Sequence, residues 1–254
     1  MTAAVARQTA DPANGPYAGQ YALAGPARIA DPRVTPIRGD LADIALAGKL
    51  FAPHYVVPLE RAVVVPSVAL RKAASDASEQ TSELLAGESF MVLDIAGRDD
   101  AAWAWGYGKH DDYLGYLPMS ALGERDTVPP AATPDGADPV ASAEAMVGMP
   151  YLWGGRGGGG IDCSGLVQVV FARAGIDLPR DSDQQADAPV GRLLDDGEAS
   201  QRGDLLFFPD HVMIQRDAET VIHASQDNGK VSIEALADVL ARKATALTGR
   251  RRVL

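Results

Sequence analysis

The chemistry open to this chain turns on one cysteine and four histidines. Cys163 is the only cysteine among 254 residues, so neither an intrachain disulfide nor a cysteine-based zinc site can form. A lone thiol is either an inert buried group or a nucleophile, and its surroundings decide between them. After Cys163 runs SGLVQVVFARAG, with Leu166, Val167, Val169, Val170 and Phe171 apolar and Gly175 placed as a stop. This predicts a buried helix with Cys163 in its first turn. A helix N-terminus carries roughly half a positive charge, which favours thiolate over thiol and predicts a lowered cysteine pKa. The preceding glycines, Gly157 to Gly160, let backbone approach the thiol closely.

A nucleophilic thiol needs a base, and two histidines lie downstream in DLLFFPDHVMIQRDAETVIHASQ. Residues 205–208, 211–215 and 221–224 read as successive strands. If the last two form a hairpin turning about Asp217, His211 and His223 are equidistant from the turn and face each other, with Cβ atoms about 4.5–5.5 Å apart. One imidazole then orients the other while the outer one takes the thiol proton: nucleophile, base, orienter, with the chain order Cys, His, His. The plain alternative is a pair of ordinary sheet histidines, which two in-register rings beside the only thiol disfavour. His54 and His110 have no such company and read as surface residues. The set is acyl-transfer machinery that calls for no metal and no cofactor. Gly155, Gly157 and Gly160 formally satisfy a dinucleotide-binding pattern, but no strand precedes them and no Gly-Lys-Ser/Thr follows.

The elements that must position these groups fall into two domains. Residues 1–35 carry several prolines and no sustained period, and read as irregular or partly disordered. Residues 36–124 read as a small all-β barrel with a short leading helix over 38–50. Its strands are expected in AVVVPSVALR, ESFMVLDIAG, AWAWGYGK and YLGYLPMSAL. Trp103 and Trp105 share a face by alternation, as barrel core or as one wall of a groove. Residues 125–138 read as a linker, and residues 139–254 as the catalytic domain. A net charge of −11 argues against a nucleic-acid surface; Arg250, Arg251 and Arg252 read as a solvated terminus. No apolar run of about 18 residues could span a bilayer. The N-terminus lacks the basic and apolar regions of a secretory signal. The expectation is a cytoplasmic protein that touches neither nucleic acid nor membrane, with its oligomeric state open.

The chain resembles the NlpC/P60 family. The resemblance rests on PYLWGG, Asp162 to Leu166, RGDLLFF at Arg202–Phe208, HVMI at His211 and IHAS at Ile222–Ser225, all within about residues 140–254. It implies a papain-like α+β domain with a Cys–His–His triad that cleaves amide bonds in peptidoglycan stem peptides. Cys163 matches the nucleophile, His211 the base and His223 the orienting residue. Tyr151 matches a tyrosine on the oxyanion side. Asp162 and Ser164 match positions that bind the substrate's amine and backbone, and Arg180 and Ser182 a segment lining the same groove. The front domain resembles a bacterial SH3-like barrel through ALRKAASDASE, LLAGESFMVLD, WAWGYGK and DYLGYLP. In related enzymes that barrel closes the cleft with an acid and a tyrosine, for which Glu88 and Tyr113 stand nearest; a turn glutamate and a packing tyrosine are the equal alternative. The implied substrate is a small murein stem peptide with a free N-terminal L-Ala, cut at the γ-D-Glu–diamino acid bond during wall recycling. An amidase or acyltransferase on the same scaffold, or a non-catalytic wall-fragment binder, remain the rival readings.

Overall fold

Two antiparallel sheets, each wrapped on its own apolar core, carry the chain. The computed structural model describes residues 29–131, 133–243 and 245–254. Most of the segment expected to be irregular, residues 1–28, lies outside the described residues.

The front sheet is built from β3 (Leu59–Val63), β4 (Ser67–Arg71), β5 (Gln80–Leu85), β6 (Ser89–Ala96), β7 (Trp103–Gly108), β8 (Leu114–Pro118) and β9 (Leu122–Glu124). Their spatial order is β5-β4-β8-β7-β6-β3-β9. Val63, Leu70, Leu84, Phe90, Ala104 and Leu117 come from six of these strands yet share one core, so the sheet curls on itself. Irregular pairing at Leu70/Arg71 and at Val92/Asp94 supplies the local bend that such curling needs. Ahead of it, β1 (Ala42–Asp43) and β2 (Tyr55–Val56) form a short parallel pair. The helix expected over 38–50 is reduced to a three-residue 3-10 turn, Ile44–Leu46. Asp43 caps it by accepting the Ala45 N–H, but Ala47 is already extended and Gly48 is left-handed, which stops propagation at once.

The second sheet runs β10-β15-β11-β12-β13-β14, with β10 (Arg192–Leu193), β11 (Leu205–Phe208), β12 (His211–Gln215), β13 (Thr220–Ser225), β14 (Lys230–Ala235) and β15 (Gly249–Arg252). The Leu-Leu-Phe-Phe run of β11 is buried on both sides, because successive side chains point to opposite faces. Leu205 and Phe207 meet Leu166, Val167, Val170 and Phe171 of α2 (Cys163–Arg173). Leu206 and Phe208 pack with Val239 of α4 (Leu236–Arg242) on the other face. The three C-terminal arginines, expected as a solvated tail, are instead a strand between β10 and β11. Arg251 is buried and donates to the carbonyls of Ala186 and Val190, and Arg252 pairs with Asp204 and Glu198. Backbone pairing gave these side chains internal acceptors that composition alone could not reveal. Among the described residues no helix is long and apolar enough to cross a membrane.

The segment 125–138, read as a linker, is tied at both ends. Arg125 donates to the Gly87 carbonyl, Ala131 N–H does the same, and Asp135 N–H donates to the Arg173 carbonyl. It ends in Asp138, which caps α1 (Pro139–Glu144) through the N–H groups of Val140 and Ala141, with Pro139 in the first turn where its missing N–H costs nothing.

Helix α2 is held against the glycine-rich loop so closely that a Cβ at Gly165 would overlap the Gly155 carbonyl. Glycine inside a helix ordinarily costs about 0.5–1 kcal/mol relative to alanine. Here the overlap reverses the sign, and Gly165→Ala is expected to lower stability by about 1–3 kcal/mol. Urea unfolding checks this; a raised midpoint would mean that the loop yields freely.

Candidate active site

Cys163 opens α2, and the residue before it builds the helix start. Asp162 is the N-cap, accepting the Gly165 N–H at 2.7 Å with one oxygen and the Gly154 N–H at 2.8 Å with the other. Arg180, 1% exposed, grips the same carboxylate with both Nη atoms at 3.0 and 2.6 Å. It also donates to the Ser164 hydroxyl at 2.9 Å and, through Nε, to Ser82 of the barrel at 3.1 Å. The thiol is thus placed by a buried ion pair that reaches into both domains.

His211 starts β12 directly after a two-residue turn, in which Asp210 adopts φ 58 and Phe208 pairs with His211. The hairpin that follows differs in register from the expected one. Ile214 pairs with Ile222 and Gln215 with Val221, which centres the turn on residue 218 rather than 217. Asp217 causes the shift, accepting the N–H groups of Glu219 and Thr220. His211 and His223 are therefore diagonal rather than directly opposed. A two-residue offset preserves the face, and diagonal neighbours stay within reach of long side chains. His211 Nε2 and His223 Nδ1 lie 2.8 Å apart. The same diagonal recurs on the next strand: His223 pairs with Ser232, and its Nε2 meets Glu234 Oε2 at 2.8 Å. Glu234, which sequence reasoning missed, also receives Asn228 Nδ2 at 2.5 Å and Arg242 Nη2 at 3.0 Å.

Burial governs protonation. It pushes the Cys163 thiol up, reinforced by the Asp162 carboxylate, to about 11, against the opposing N–H groups of Val212 and Ser164 and the Arg180 charge. Burial thus works against the lowering expected from the helix N-terminus. Burial, then the charge of His223, pushes His211 down to about 3. Both shifts favour the neutral forms, a thiol met by the N–H of Val212 and an imidazole at the preceding residue whose Nε2 faces His223. Tyr151 packs on the core around Cys163, and burial followed by the sulfur's charge raises its hydroxyl to about 12, keeping it a donor at neutral pH.

A cavity of about 640 Å³ opens over the thiol between the two domains. Of the residues expected there, Cys163, Asp162, Ser164, Ser182 and Tyr113 line it. Tyr113 donates to Asp181 Oδ2 at 2.8 Å. Arg180 lies beneath the cavity wall as a support. Glu88 is not on the wall; it pairs with Arg156 at 2.7 Å and accepts the Leu85 N–H. The glycine run serves the same seam: Gly158 N–H and Arg156 N–H donate to Glu83 of β5, and a Cβ at Gly158 would overlap Ser67 and Glu83. Its close approach is to the barrel, not to the thiol. Trp105, half of the tryptophan pair, is both core and wall, with the Arg38 guanidinium 4.6 Å above its ring. Unforeseen wall residues are Arg33, Asp181, Asp183 and Trp153; Arg33 bridges Asp181 at 2.9 Å and Asp183 at 2.7 Å. His54 and His110 are exposed.

Residues 148–250 match the NlpC/P60 family, and residues 70–122 match the bacterial dipeptidyl-peptidase SH3 domain. Residues 148–250 therefore carry an NlpC/P60 domain. The fold is accordingly α+β, an NlpC/P60 domain of papain-like type preceded by an SH3-like barrel. A gamma-D-glutamyl-L-lysine dipeptidyl-peptidase of Bacillus subtilis is 34% identical over 144 residues, covering 51% of this chain and 48% of that protein. Dipeptidyl-peptidase 6 of Lysinibacillus sphaericus is 35% identical over 97 residues, covering 38% of this chain and 35% of its own. The chain thus spans half or less of the length of these two relatives. The crystal structure of an NlpC/P60 family protein from Bacillus cereus covers 77% of this chain and 63% of its own at 24% identity, with a TM-score of 0.42.

Two outcomes follow from this NlpC/P60 site. Because the thiol is raised and not lowered, iodoacetamide labelling of Cys163 should climb about tenfold per pH unit through neutrality, following the thiolate fraction. A flat, maximal rate from about pH 5 to pH 8 would instead reveal a preformed thiolate–imidazolium pair. Replacing Arg180 by Met leaves the Asp162 carboxylate buried without its cation and should cost about 3–5 kcal/mol in urea unfolding.

Proposed function

We propose that the chain is a cysteine endopeptidase that hydrolyses the γ-D-Glu–diamino acid amide bond of free muropeptides bearing an unblocked N-terminal L-Ala. The observation that carries this reading is the Cys163 thiol, at a helix start, met by the N–H of Val212 next to His211 of the paired histidines, and opening into a cavity walled by both domains. His211 Nδ1, neutral across physiological pH, accepts the thiol proton as the sulfur attacks the carbonyl carbon. The first helical N–H groups have no partner inside a helix. That of Cys163, with the Tyr151 hydroxyl, stabilises the oxyanion. His211 then returns its proton to the leaving amine, and water, deprotonated by the same nitrogen, releases the acyl group from sulfur.

Three features favour this substrate. The cavity volume of about 640 Å³ suits a short peptide. Glu79, Asp162, Asp181, Asp183 and Asp210 line it against three cations, Arg33, Arg38 and Lys72; Arg33 pairs with Asp181 and Asp183 and Lys72 with Glu79, and the wall keeps an excess of carboxylates. An acid-rich wall is matched to an ammonium group. The relatives in Bacillus subtilis and Lysinibacillus sphaericus bear dipeptidyl-peptidase names. The reading places the enzyme in recycling of wall fragments, with a cytoplasmic location, not in cutting intact wall.

Digestion of L-Ala-γ-D-Glu-diaminopimelate and its N-acetylated form, followed by mass spectrometry, tests it. The free-amine peptide should be cut by the wild type, the acetylated one at least tenfold more slowly, and neither by Cys163→Ala. Equal cleavage of both peptides removes the free-amine requirement. Absence of any cleavage removes the substrate.

A further inference from the structure

The histidine relay does not end at His223. We infer that Glu234 sets the proton polarity of the whole relay and thereby makes His211 Nδ1 the basic nitrogen. The inference rests on His211 acting as the base in the proposed reaction. Its own ground is the order of donors and acceptors along three adjacent strands.

Glu234 Oε2 lies 2.8 Å from His223 Nε2, 2.5 Å from Asn228 Nδ2 and 3.0 Å from Arg242 Nη2, and Oε1 lies 2.9 Å from Arg242. Asn228 Nδ2 and Arg242 can only donate, so the carboxylate stays ionised and can only accept. His223 Nε2 must then carry a hydrogen. In the neutral ring the other nitrogen, Nδ1, is an acceptor. His211 Nε2, 2.8 Å away, must therefore be the donor in that contact, which leaves the lone pair of His211 on Nδ1. With His223 neutral, the form its burial favours, the order of hydrogen bonds fixes both tautomers. Reversed polarity would put the proton on His211 Nδ1, where it cannot receive one from sulfur. When Nδ1 takes the thiol proton, no proton needs to travel to Glu234. The carboxylate stays ionised and offsets the imidazolium charge against Arg242 and Lys243, the cations that face the rings.

Glu234 touches neither the thiol nor the cavity, so it is a positioning residue. Glutamine keeps an oxygen toward Asn228 and Arg242 and can still accept from His223, whereas alanine cannot. Long-range 1H–15N correlation on the full chain with labelled histidine reads each ring's tautomer without substrate. In the wild type both His211 and His223 should be protonated on Nε2. Glu234→Gln should keep that pattern, and Glu234→Ala should move proton density to Nδ1 of both rings. On the stem peptide, Glu234→Ala should lower kcat roughly tenfold or more with little change in KM, because a wrong tautomer disables the base and not binding. A wild-type His211 protonated on Nδ1 overturns the inference even if Glu234→Ala does not fold. So does a folded Glu234→Ala with unchanged tautomers, or a Glu234→Gln that behaves as Ala. Since none of the spectra involve a peptide, failure of the substrate claim leaves this result standing, and the reverse holds as well.

Discussion

One buried ion pair, Arg180 with Asp162, holds the chemistry and the architecture together. Two charges removed from water cost several kcal/mol each, and only close geometry with further hydrogen bonds offsets that. The additional bonds are all present. Asp162 receives two backbone N–H groups, from the glycine loop and the first turn of α2, and Arg180 reaches Ser164, Ser82 and the Gly155 carbonyl. The helix start, the loop and the barrel are therefore tied to one point. The thiol's position is specified by contacts that reach from the cavity wall into both domains.

The same pair bears on the electrostatic character of the site. Burial opposes ionisation of the thiol most, the Asp162 carboxylate one residue before it adds to that, and Arg180 counters it. The relay is built to complement that state. Burial keeps His211 neutral at the cost of its basicity, and His223 with Glu234 supplies directed hydrogen bonds and a compensating negative charge.

Sequence patterns carried the parts of this design that are local. The helix after Cys163 and its first-turn thiol followed from an apolar run bounded by Asp162 and Gly175. The strands of the second domain followed from Leu-Leu-Phe-Phe and the two histidine segments. The shared face of His211 and His223 survived a register shift of two residues because strand alternation has that same period. What was not legible depended on contacts between distant segments. Glu234 became part of the relay through β13–β14 pairing, Arg33 became a cavity wall through two aspartates 148 and 150 residues away, and Arg250 to Arg252 became a strand by insertion beside β11. The helix expected near residue 44 failed for the complementary reason: apolar spacing was present, but four residues do not offset helix nucleation when a left-handed glycine follows.

The seam between the domains explains why the barrel cannot be treated as an appendage. It is polar throughout: Arg156 with Glu88 and Glu83, Gln168 with Asp111, Gln184 with Asp31, Tyr113 with Asp181. An apolar seam would hold as tightly but tolerate sliding, since burial is non-directional. Hydrogen bonds at fixed lengths and angles do not, and a groove walled by two domains keeps its width only if their orientation is fixed. Glycines at 154 and 158 permit this by letting loop backbone meet barrel side chains with no Cβ between them. A sequence that reads locally as a flexible glycine run is therefore a rigid docking surface, and Arg180 behind it couples that docking to the start of the helix that Cys163 opens. Width of the groove and placement of the thiol are consequences of the same contacts, so changing one cannot leave the other untouched.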